Sequence, residues 1–166
     1  MAAIHLIEGP VGAGKSTRAG RMARELGVPW LDLDDWMVTL FSPDRPAEGF
    51  LAWYTERKNR CIEQIWRVTE RLLAADVGVV LELGLVQRSD RAAFYERLDA
   101  AGCDFHVYVL EVPRDVRLER VRGRNAGQGE TFKMAVSDEI FEIADAAWEA
   151  PDEIERETRR IQIMRE

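Results

Sequence analysis

The apolar positions of the chain alternate between two rhythms. Ile4, His5, Leu6 and Ile7 make a run short enough for a buried strand, and beyond it Ala19, Met22, Ala23 and Leu26 recur at i, i+3, i+4 and i+7. That spacing is one face of an amphipathic helix, which Gly27 stops. Leu31 and Leu33 then alternate with Asp32 and Asp34, predicting a second strand over 28–35 with both aspartates on one side. Ser42 to Gly49 reads as a loop, and a long helix follows in which Phe50, Trp53, Tyr54, Cys61, Ile62, Ile65, Trp66, Thr69, Leu72 and Leu73 keep close to a 3.6 period. The nearly continuous apolar run 77–84 suits a central parallel strand, followed by a helix capped at Ser89 that buries Phe94 and Leu98. Residues 105–112 form a fourth strand. Pro113 opens another helix, and Ser137 starts one that presents Ile140, Phe141, Ile143, Ala144, Ala147 and Trp148. Residues 160–164 add a final strand. Strands alternating with helices predict an α/β fold with five parallel strands covered on both faces.

Chemistry enters between the first strand and the first helix. Gly9-Pro10-Val11-Gly12-Ala13-Gly14-Lys15-Ser16-Thr17 fits GxxxxGK[ST], the pattern of a phosphate-binding loop. Its position is the one the chemistry needs, because the backbone N–H groups and the positive helix end converge there on a polyphosphate. Gly9, Gly12, Ala13, Gly14, Lys15, Ser16 and Thr17 are the expected nucleotide contacts, with Lys15 at the β/γ-phosphates and Ser16 on Mg²⁺. In an open α/β sheet ligands lie beyond the carboxyl ends of the strands, so Asp34 is a candidate general base, the alternative being a helix cap. Asp32 and Glu82 join Ser16 as candidate metal-side residues; a structural salt bridge is the other reading of Glu82. Trp53 and Arg57, in an acceptor-site insertion of about 36–60, and Arg88 after the third strand are candidate acceptor contacts, with core packing or solvation as the alternatives. Arg117, Arg120 and Arg124 fall at i, i+3 and i+7, a positive stripe that predicts a lid over about 117–133 with Arg117 and Arg120 on the nucleotide phosphates and a glycine-bearing hinge or tip at 123–130; a solvated helix face paired with Glu111 and Glu119 is the alternative. His106, early in its strand, reads as structural.

At 166 residues with 46% hydrophobic content, one domain with a sizeable core is expected. A net charge of −7 and pI near 5.0 argue against a general nucleic-acid surface and favour small-molecule partners. Cys61 and Cys103 read as reduced thiols; no leader or membrane-length apolar run is evident, so a cytoplasmic protein is expected.

GPVGAGKST, LDLDDW, VVLELGLVQRSDR and LERVRGRN, in that order over nearly the whole chain, resemble the small P-loop kinases that include polynucleotide kinase, chloramphenicol phosphotransferase, zeta toxin and the shikimate and gluconate kinases. The resemblance implies a P-loop three-layer α/β/α sandwich with sheet order 2-3-1-4-5, ATP and Mg²⁺ as cofactors, and a hydroxyl acceptor. It assigns the acceptor proton to Asp34 and nucleotide contacts to Arg120 and Arg124. Trp36-Met37-Val38 stands where polynucleotide kinases carry an arginine, which argues against a nucleic-acid acceptor; Glu82 replaces the usual aspartate, and no NKxD segment is present for guanine. The implied activity is phosphoryl transfer from ATP to a small-molecule hydroxyl. An ATP-binding regulatory module and an ATP hydrolase are the alternatives, the first disfavoured by an acid pair beside the loop.

Overall fold

The computed structural model describes residues 2–127 and 135–165. Five strands, β1 (Ile4–Glu8), β2 (Trp30–Asp32), β3 (Val79–Glu82), β4 (Phe105–Glu111) and β5 (Gln162–Arg165), pair in parallel in the order β2-β3-β1-β4-β5. Around them lie α1 (Lys15–Leu26), α2 (Leu33–Phe41), α3 (Phe50–Ala74), α4 (Arg88–Ala100), α5 (Arg114–Gly127), α6 (Asp138–Ala147) and α7 (Glu153–Thr158). This is the five-stranded order that the family resemblance implies.

Strand parity distributes the core between the two faces of the sheet. Ile4, Leu6, Val79, Leu81, Val107 and Val109 pack with α2, α3 and α4, whereas Ile7, Val80 and Leu110 pack with α1. The same parity aims the polar strand ends. Glu82 shares the face of Val80 and therefore meets the start of α1; Glu8 shares the face of Leu6 and points under α4.

Several local expectations change. The second strand stops at Asp32, whose carboxylate caps α2 by accepting from the N–H groups of Asp34 (2.9 Å) and Asp35 (3.4 Å). Satisfying otherwise orphaned helix-end donors prevails over the two-residue alternation, so Asp34 sits in the first helical turn and not on a strand. Ser89 lies inside α4, which begins at Arg88 after Gln87. Gly123 is helical, so no break at that residue supports a hinge; residues 128–133 of the expected lid, with 128–130 of its tip, lie outside the described residues. Of the apolar face assigned to α6, only Phe141 is fully buried, while Ile143 is 66% exposed. Helix α7 was not expected, being short and rich in charge.

Glu8, Tyr95, Arg91 and Glu155 form a buried polar cluster that hydrophobic periodicity did not reveal. Tyr95 donates to Glu8 Oε2 at 3.0 Å, while Arg91, with 0% side-chain exposure, grips both oxygens of Glu155 at 2.6 and 3.0 Å. Arg91 lies 3.8 Å from Glu8, yet burial outweighs it and pushes the Glu8 carboxyl from 4.5 up to about 8. The folded state then holds a proton that the unfolded chain releases above its ordinary carboxyl pKa, so this group's stabilisation is full at low pH and is lost as pH rises toward 8. Glu8→Gln keeps an acceptor for Tyr95 and removes the titration. Its stability relative to the parent should therefore rise by about 1 kcal/mol per pH unit between pH about 5 and 8 in urea unfolding. A constant difference across that range would refute a protonated Glu8.

Candidate active site

The carboxyl ends of β1, β3 and β2 deliver, respectively, the glycine-rich loop, Glu82 and the Asp32–Asp34 turn to one cleft. Its volume is about 230 Å³, and Gly12, Gly14, Lys15, Ser16 and Thr17 line one side of it. Gly14 caps α1 at φ 92° without a side-chain hydrogen bond, and no acidic residue occupies the first turn. The positive helix end thus opens on the cleft beside Lys15, an arrangement suited to an anion. Gly12, at φ 75°, lies so close to α5 that an added Cβ would stand 2.6 Å from the Arg117 carbonyl oxygen. The loop is keyed directly into that helix. Gly9 and Ala13 serve its shape: Gly9 abuts Leu110, and Ala13 is fully buried in the α1-side core.

Lys15 donates to the Pro10 carbonyl at 2.9 Å, and Ser16 donates to Glu82 Oε1 at 3.0 Å. Burial lowers the Lys15 ammonium from its ordinary value, opposed by the charges of Glu82 and Asp34. Burial raises Glu82 to about 7, with Lys15 acting against it and Asp34 adding to the rise. Tyr54, also lining the cleft, is raised to about 12 by burial and by the Asp34 charge. Lys15, Glu82, Asp34 and Tyr54 therefore act as one electrostatic group.

The residues present fit a Mg²⁺ ion. Glu82 Oε2 is buried with no hydrogen-bond partner, next to the Ser16 hydroxyl. Mg²⁺ is commonly held by one or two protein oxygens together with phosphate and water, and Glu82 and Ser16 supply such oxygens. Asp32, expected on the metal side, has Oδ1 engaged in capping α2.

The three stripe arginines separate. Arg124 lines the cleft, its Nε buried without a hydrogen-bond partner, and Arg120 reaches the Ala13 carbonyl at 3.5 Å. Arg117, expected on the nucleotide, is instead a buried clamp. It donates to the carbonyls of Val112 and Val11 at 3.0 Å each and to Asp145 at 2.6 Å, with its guanidinium over the Phe141 ring. One side chain thus binds the glycine-rich loop to α5 and α6. Arg117→Met leaves two carbonyls without their donor and weakens the partly buried ion pair, so a loss of about 3 kcal/mol in denaturant unfolding is expected, with weaker nucleotide binding by calorimetry. Unchanged stability would remove the clamp.

Trp53 lines the cleft. Arg57 is not among the lining residues: it lies over the Trp53 ring at 4.6 Å and donates to the Trp53 carbonyl. Arg88 is also absent from the lining, paired with Asp152 at 2.9 Å, because the acids preceding and within α7 face the start of α4. Met37, Val38, Ser42, Arg45, Phe50 and Val136 complete the cleft. The first two follow Asp34 at i+3 and i+4, a spacing readable only once α2 is known to begin before Asp34.

Residues 4–149 match a family described as an AAA domain. The chain belongs to that family. No match was found among curated proteins. Solved structures similar to this AAA domain include a sugar kinase from Janibacter, with 16% identity, a TM-score of 0.65 and coverage of 99% of this chain and 86% of the other. A gluconokinase from Sinorhizobium meliloti is 20% identical, with a TM-score of 0.62 and coverage of 99% and 82%. The APS kinase of Mycobacterium tuberculosis, solved with AMPPNP and APS, is 19% identical, with a TM-score of 0.59 and coverage of 99% and 88%. The fold of the AAA domain is accordingly that of the small P-loop kinases, as its motifs imply. No helix among the described residues is long and apolar enough to cross a membrane.

Proposed function

We propose that this AAA domain is an ATP-dependent kinase that transfers the γ-phosphoryl group to a hydroxyl of a small molecule. The observation that carries the reading is the convergence, in one cleft, of the Lys15–Ser16 loop with Glu82 at the end of β3 and Asp34 in the first turn of α2, just beyond the neighbouring β2. A module that only binds nucleotide has no use for an aspartate on the acceptor side of the loop. The similar kinase folds support the same class of reaction.

Lys15 and the loop amides hold the phosphates, and Arg124, with Arg120 at the loop edge, offsets negative charge that develops on the transferring group. Ser16 and Glu82 would hold Mg²⁺, which when bound draws charge from the β- and γ-phosphate oxygens. Asp34 accepts the hydroxyl proton as the acceptor oxygen bonds to the γ-phosphorus. The bond from that phosphorus to the bridging oxygen breaks, its electron pair leaves on ADP, and the product is a phosphate monoester. Burial and charge coupling in the cleft make such positioning effective, because charges interact more strongly away from bulk water.

The test is incubation with ATP and Mg²⁺ across a panel of alcohols, following ADP formation and the phosphomonoester signal by phosphorus NMR. Acceptor-dependent ADP formation is expected. ATP turnover indifferent to every alcohol, or tight ATP binding without turnover, would defeat the reading.

A further inference from the structure

Resting on the phosphotransfer reading, we propose that the acceptor is an alcohol carried on a single aromatic ring, and not a polyol or the end of a nucleic acid. The acceptor side of the cleft is built twice with the same helical spacing. Asp34, Met37 and Val38 stand at i, i+3 and i+4 on α2, and Phe50, Trp53 and Tyr54 stand at the same intervals on α3, so each helix turns one face inward.

Those two faces meet at an aromatic surface. The Phe50 ring lies 5.9 Å from Trp53 and 5.7 Å from Tyr54, tilted to both, yet Phe50 keeps 37% of its surface exposed. Tyr54 also packs against the core, and all three aromatic residues line the same cleft as Lys15. A further ring entering at such separations gains about 0.5–1.5 kcal/mol per aromatic neighbour beyond the area it buries. A hydroxymethyl or hydroxyethyl arm on that ring would offer its hydroxyl to Asp34, which lines the same cleft as Lys15 and Ser16.

A polyol fits this wall poorly. Each hydroxyl pressed without a partner against Met37, Val38, Phe50 or Trp53 costs about 1–3 kcal/mol. A polynucleotide needs a track of cations along its backbone. Among the described residues the cleft lining offers Lys15 and Arg124 on the nucleotide side and Arg45, whose guanidinium lies 4.1 Å over the Phe50 ring.

The experiment measures acceptor-dependent ADP release by the full chain with saturating ATP and Mg²⁺, comparing benzyl alcohol and phenylethanol with glucose, gluconate, ribose and an oligonucleotide bearing a free terminal hydroxyl. Nucleotide binding is measured separately by calorimetry. The expected result is a kcat/KM for an aromatic alcohol about tenfold or more above any polyol. Trp53→Ala should raise the acceptor KM about tenfold with kcat and the KM for ATP little changed, and Trp53→Phe should restore most of the loss. Preferential phosphorylation of a sugar or of the oligonucleotide overturns the aromatic acceptor and leaves the kinase reading standing. ATP binding with no turnover of either aromatic alcohol overturns it as well, whereas failure to bind ATP brings down the kinase reading on which it rests.

Discussion

Replacing Lys15 with alanine is expected to reduce turnover by about 10²-fold or more, because the variant removes a charge from a site with little access to water. The size of the effect follows from where the ammonium lies. Lys15 is held by the Pro10 carbonyl, between Glu82 and Asp34, and burial already disfavours its charged form. A triphosphate adds negative charge to that of Glu82 and Asp34 and so favours the charged ammonium. The interaction strengthens as charge shifts from the γ-phosphoryl group to the leaving oxygen, so the loss should appear in kcat as well as in nucleotide affinity. Lys15→Arg should not rescue it, since a planar fork cannot take the place of a compact ammonium at the first turn of α1. Steady-state kinetics with ATP and an accepted alcohol provide the check. Near-normal turnover in the alanine variant would eliminate the mechanism proposed for this loop.

The legible parts of the fold were those in which one physical demand acts alone. Buried parallel strands require continuous apolar runs, and residues 4–7, 79–82 and 105–111 supplied them. The loop at Gly9–Thr17 was readable because phosphate binding constrains residue type and spacing together. Asp32 shows where such reading stops: local alternation favoured a longer strand, but its carboxylate satisfies two helix-end N–H groups, and that three-dimensional gain is invisible to a period-two count. Arg117 illustrates a second limit. Its helical position matches Arg120 and Arg124, yet being one turn nearer the sheet places it under the loop, where carbonyls of Val11 and Val112 and the carboxylate of Asp145 surround it. Sequence spacing gave the stripe but not its depth. The Glu8–Arg91 cluster was hidden for a similar reason, since its members come from three distant segments and no single periodicity joins them.

The Asp34→Asn variant should retain ATP affinity and lose phosphoryl transfer by about 10²–10⁴-fold, the range of a removed general base. The substitution is nearly isosteric and leaves the N–H of residue 34 free to donate to Asp32, so the α2 cap and the cleft should persist. What changes is the acceptor's proton. An amide oxygen accepts a hydrogen bond but not a proton at neutral pH, and the hydroxyl then remains a weak nucleophile. A purely electrostatic role would show differently. Asp34 raises Glu82 and Tyr54 and supports the charge of Lys15, so loss of its charge alone should lower the pKa of the first two groups and shift nucleotide binding. Single-turnover kinetics separate the two: a base gives a slow chemical step at unchanged ATP affinity, whereas a field effect gives altered affinity with a lesser change in the chemical step. Transfer at the parent rate in Asp34→Asn would move the proton acceptor away from Asp34 and leave Glu82 as the other carboxylate of the cleft among the described residues.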